Sequence, residues 1–147
     1  MNRQVRERMT ALGVDNVALA PILMAWSWDP RSGRNPDEWW DGDVYDFVGT
    51  DVYDRGRGVA TDYWFMLREW AAEEGVDVAV GEWGIRGTGE EVDQWHQAAA
   101  DSATDGRGAR VVALSAYDSS SYDGWRLQGS QLSTFRGLVD DPDSGHA

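Results

Sequence analysis

Four short apolar runs alternate with segments of helical period, and this alternation limits the fold more than any other feature of the chain. The runs are residues 17–26 (VALAPILMAW), 44–50 (VYDFVGT), 76–81 (VDVAVG) and 110–116 (RVVALSA). The first and last are apolar almost throughout, the pattern of a strand covered on both faces in a parallel sheet. Residues 3–12 place Val5, Met9 and Leu12 on one helical stripe that Gly13 ends. Residues 63–72 carry Tyr63, Phe65, Met66, Leu67 and Trp70 in helical spacing and end at Gly75. Thr88 and Glu91 fit a capping box, opening a helix with Val92, Trp95 and Ala99 on one face. Leu132, Phe135, Leu138 and Val139 mark a last helix, and residues 27–43 read as a loop with one helical turn near Pro36. Strands separated by helices imply crossover connections and a parallel sheet, hence the α/β class. At 147 residues the prior is a single domain, 1–147, with residues 141–147 a flexible tail.

Charge and residue inventory remove several functions. Against 26 acidic residues stand 13 basic ones, all arginine and scattered, for a net charge of −13. Phosphate backbones need clustered cations, so no nucleic-acid partner is expected. With no cysteine there is no disulfide, thiolate metal site or cysteine nucleophile. His96 and His146 are the only histidines, too few for a histidine-rich metal site, and no metal or cofactor is expected. The charged N-terminus leads into no apolar signal core. The longest apolar run is half a membrane span and contains Pro21, so no membrane partner is expected.

The ends of the runs choose between parallel architectures. No glycine-rich phosphate-binding turn opens any helix. The runs end instead in Trp26-Ser27-Trp28-Asp29, Asp51-Val52-Tyr53-Asp54, Glu82-Trp83 and Tyr117-Asp118. Carboxylates beside aromatic rings at successive strand ends are what the catalytic face of a (β/α)8 barrel presents. Such a face suits sugars, whose C–H patches stack on rings and whose hydroxyls bind carboxylates.

The stretch from Trp39-Trp40 through Tyr45-Asp46-Phe47-Val48-Gly49-Thr50-Asp51-Val52-Tyr53 resembles the sixth-strand region of glycoside hydrolase family 26, the β-mannanase family, with its "Y-V-D-x-V-G-x-D-x-Y" strand. Asp77-Val78-Ala79-Val80-Gly81-Glu82-Trp83-Gly84 is similar to that family's seventh strand, "P-x-x-x-x-E-x-G". Residues 17–26 and 111–117 are similar to the fifth and eighth strands, so the resemblance covers about residues 3–139. It implies a partial (β/α)8 barrel of about four parallel strands with flanking helices, the C-terminal half of a retaining barrel acting on a β-linked polysaccharide such as β-1,4-mannan. It implies that Glu82 is the nucleophile and that Tyr53 supports it by a hydrogen bond. The family's acid/base, a glutamate on the fourth strand, has no counterpart, so the chain alone is expected to hydrolyse little. An extracellular parent enzyme is implied as well.

Each residue also has a plainer reading. Glu82 could be a surface glutamate paired with Arg86 or Arg55. Asp29, Asp51, Asp54 and Asp118 are read as hydroxyl binders, helix caps or loop braces rather than a replacement acid, with Asp51 assigned to substrate. Trp26, Trp28, Trp83, Tyr117 and Trp125 are read as sugar-stacking rings, and Trp64, Trp70 and Trp95 as core. Trp39 and Trp40 are expected to pack the first loop, and His96 to be solvated or capping. The alternative to an enzyme is a non-catalytic carbohydrate-binding protein derived from such a barrel. Open barrel edges predict self-association.

Overall fold

The computed structural model describes residues 2–54, 62–121 and 125–140. Four strands, β1 (Ile22–Met24), β2 (Phe47–Asp54), β3 (Asp77–Ile85) and β4 (Val111–Ala116), form one sheet in the order β1-β2-β3-β4. All three neighbouring pairs are parallel. Helices α1 (Asn2–Ala11), α2 (Asp62–Glu74), α3 (Gly89–Asp101) and α4 (Ser130–Asp140) flank it, and three 3-10 turns (Ala25–Trp28, Pro30–Ser32, Pro36–Glu38) join β1 to β2. A sheet whose order repeats the chain order turns every crossover the same way, so its helices gather on one face. This is the winding of a partial α/β barrel; a doubly wound sheet reverses order at a switch point.

Val48, Val78, Val80 and Val111 from the sheet pack with Leu67, Ala71, Val92, Trp64 and Trp95 from α2 and α3 in one core on the helical side. Trp64 meets Trp95 edge-on at 5.6 Å, and Trp95 stacks on Trp83 at 6.1 Å. Trp64 and Trp95 are thus core, as their spacing predicted. The opposite face is lined with small residues. Ile22, Gly49, Ala79 and Ala113 stand in one row across the strands, and Ile22 lies over both Gly49 and Gly81.

Element boundaries moved for physical reasons. The first run narrows to Ile22–Met24 because Pro21 has no N–H for the ladder and the chain coils into a 3-10 turn at Ala25. Beyond its end, the second run extends to Asp54 and the third to Ile85, so Asp51, Tyr53, Glu82 and Trp83 lie within strands. α1 buries none of its residues: Val5 is exposed, as is Leu12 just past its end, and Arg3 to Asp41 and Arg6 to Asp46 and the Val44 carbonyl hold it. Val139 is likewise exposed rather than core. The capping box does not form; Thr88 precedes α3 but its side chain caps nothing, and the Gly89 N–H donates to Ser130 Oγ of α4 at 3.2 Å. The expected tail, 141–147, lies outside the described residues.

Candidate active site

The ends of β2, β3 and β4 gather a small polar and aromatic constellation. A register shift between Thr50 and Asp51 brings Asp51 opposite Glu82. From there Asp51 and Tyr53, two residues apart, share one face of β2. The Tyr53 hydroxyl donates to Glu82 Oε2. Burial, then the bond to Glu82, hold the tyrosine's proton well above its ordinary range. Glu82 itself is exposed to solvent.

Asp51 is half-buried, with Oδ1 enclosed and without a hydrogen-bond partner among the described residues. Desolvation, then the Glu82 charge, raise its pKa, while a hydrogen bond from the Glu82 backbone works the other way. Two carboxyls thus sit on adjacent strand ends in electrostatic contact, one solvated and one half-buried with a single oxygen left unpartnered.

Aromatic rings wall the pair. Tyr53 meets Tyr117 at 5.6 Å and Trp125 at 5.0 Å, both edge-on, and the Arg86 guanidinium lies 4.4 Å from the centre of the Trp125 ring. The Tyr117 N–H donates to the Trp83 carbonyl at 2.7 Å, tying the end of β4 to the strand that carries Glu82. A side chain at Gly84 would stand 2.9 Å from both the Trp125 and Tyr53 rings, so glycine is what lets them close. In the sequence Gly84 reads only as the glycine that ends the seventh-strand pattern, and Arg86 only as a salt-bridge partner for Glu82; the structure sets both against Trp125 instead.

Other candidates lie elsewhere. Trp83 points into the helical layer, fully buried against Trp95, His96 and Phe135, because strand alternation sends neighbours Glu82 and Trp83 to opposite faces. Its expected sugar-stacking role is corrected to core. Trp28 is also buried, 5.2 Å from Trp70, and lines an outer recess of about 460 Å³ with Arg34, Asp37, Met66 and Glu73. None of Asp51, Tyr53, Glu82, Tyr117 and Trp125 lines that recess. Trp26 is exposed just past β1 with Arg34 5.2 Å from its ring. Trp70 is only half-buried, its Nε1 donating to Asp37 at 2.7 Å, and Trp40 packs between it and Tyr45. His96 is neither solvated nor a cap: it packs between Trp83 and Phe135, and burial lowers its pKa.

Of the plainer partners for Glu82, Arg86 is engaged with Trp125 and Arg55 lies outside the described residues. Asp29 caps the second 3-10 turn and pairs with Arg31, and Asp118 accepts the Leu127 N–H, so both brace loops. Among the described residues no helix is long and apolar enough to cross a membrane. No protein-family model matches the chain, and comparison with curated proteins and with solved structures returned no match.

Proposed function

We propose that this chain carries the nucleophile side of a retaining glycoside hydrolase site acting on a β-linked polysaccharide, with β-1,4-mannan as first substrate. The observation that supports it is Glu82, solvent-exposed at the C-terminal end of a barrel-type strand and bound by the Tyr53 hydroxyl from the next strand. An attacking carboxylate must stay ionised and aimed, and a donor on one oxygen does both while leaving the other free. Tyr117 and Trp125 supply apolar walls of the kind that pack against a pyranose ring. In double displacement Glu82 attacks the anomeric carbon while a second carboxyl about 5–5.5 Å away protonates the leaving oxygen, then deprotonates the water that frees the sugar.

Incubation with mannooligosaccharides and an activated aryl β-mannoside tests this. The aryl substrate needs little acid assistance, so it should be cleaved even where the natural substrate is not, and Glu82→Gln should abolish that cleavage. Tyr53→Phe should reduce the rate by about 10–100-fold, the cost of a lost donor of roughly 1.4–2.7 kcal/mol. Cleavage that survives Glu82→Gln would refute the assignment. Tight binding of oligosaccharide with no cleavage of either substrate would favour a carbohydrate-binding protein.

A further inference from the structure

We propose that two copies of this chain close one eight-stranded barrel, β4 of each pairing with β1 of the other, so that both copies of Glu82 face a single mouth. The sheet stops at β1 and β4, and neither strand contains a charged residue or a proline. Natural sheet edges are guarded by charge, proline or cover, and unguarded ones invite pairing. Ile22, Met24 and Val112 on these two strands are each 43% exposed.

A second copy fits these edges for three reasons. All four strands run the same way, so a twofold along the barrel axis sets β4 parallel to the β1 of its partner, the relation every neighbouring pair in the sheet already has. Four strands and four make the eight at which side chains just fill a closed interior. The helix-free face is built for such an interior, with Gly49, Ala79, Gly81 and Ala113 small and Ile22 bridging two of the glycines. β1 and β4 themselves carry no charge, so the seams pair apolar strands, and the net charge of −13 on each copy is the force that opposes them.

The closure completes the site, an inference that rests on the glycosidase reading. In the strand order 1-2-3-4-1-2-3-4 the two β3 strands are diametrically opposed, so Glu82 looks across the mouth at the partner's Glu82. Double displacement across that mouth requires one carboxyl as nucleophile and the other as proton donor, and the two copies supply one each. One Glu82 then attacks the anomeric carbon as the partner's Glu82 gives its proton to the departing glycosidic oxygen. Water cleaves the resulting glycosyl ester, returning a proton to the partner's Glu82 and freeing the sugar and the first carboxylate.

Sedimentation equilibrium of the whole chain across micromolar concentrations is the primary test. Twice the chain mass is expected, strengthened by salt, which screens the repulsion of two acidic copies. Val112→Arg and Met24→Arg, each at an exposed position and checked for native circular dichroism, should each yield monomer. A monomer at every concentration, a dimer indifferent to both substitutions, or assembly only with a different chain would overturn the closure. Mixing wild type with an equal amount of Glu82→Gln should leave about one quarter of the oligosaccharide activity for a shared site, against about one half for independent sites. A rate of one half would overturn the shared site. A dimer broken by both edge substitutions that cleaves nothing would overturn the glycosidase reading and the shared site together, and leave the closure standing.

Discussion

Asp51 is the residue at which local chemistry and stability meet. The folded chain holds its proton more tightly than the unfolded chain does, from desolvation first and the Glu82 charge second. Its contribution to stability is therefore fully present below the ordinary aspartate pKa of 3.8 and is lost as pH rises through the raised value. Asp51→Asn should melt higher than wild type at neutral pH, and the gain should vanish as pH falls below that of a free aspartate; a pH series of thermal melts checks both. Gly84 makes a steric claim of similar sharpness. An added methyl meets two rings at 2.9 Å, so Gly84→Ala should cost about 1–3 kcal/mol by overpacking and shift Tyr53 off Glu82. Denaturant titration reads the first effect, and aryl mannoside turnover the second.

The elements of the sheet's helical face are joined by polar ties that no periodicity announces. Arg68, 1% exposed on α2, donates through Nε to the Ala109 carbonyl at 2.8 Å and through Nη2 to the Ser102 carbonyl at 3.1 Å, and binds both oxygens of Asp105 at 2.7 Å. It thereby fastens α2 to the α3–β4 connection. The Arg68 bonds hold the Asp105 carboxyl at about 2, so this tie is at full strength above pH 3.8 and fades as pH falls toward 2. Asp105→Asn should cost about 1–2 kcal/mol at neutral pH, less than for a fully buried pair because Asp105 keeps part of its side chain in water. Urea unfolding at pH 7 and near pH 2 should show that cost disappearing. Ser130→Ala removes the cap that α4 lends to α3, for about 1 kcal/mol. Sequence suggested the Thr88–Glu91 box because caps usually come from the same helix; the hydroxyl that accepts here stands 41 residues away.

Across the whole molecule, stability is concentrated between the sheet and the α2, α3 and α4 layer, whereas α1 sits outside that core on arginine–aspartate contacts. A ten-residue helix without buried anchors is marginal. Its amides should exchange with solvent well before those of β3, which hydrogen exchange by mass spectrometry would show; equal protection would refute this partition. Much of the architecture was legible in the sequence. Four apolar runs alternating with helical stripes determine a parallel α/β sheet, since continuous apolarity and period are local properties of the chain. Glu82 and Tyr53 were legible as well, each at the end of a run and each carried by a resemblance. What tertiary structure decided was orientation and partnership. The pleat sent Trp83 into the core and Glu82 out, the register shift after Thr50 set Asp51 against Glu82, and Gly84 let two rings close behind them. Those outcomes depend on how one strand lies against the next, a relation between residues distant in the chain that no local pattern encodes.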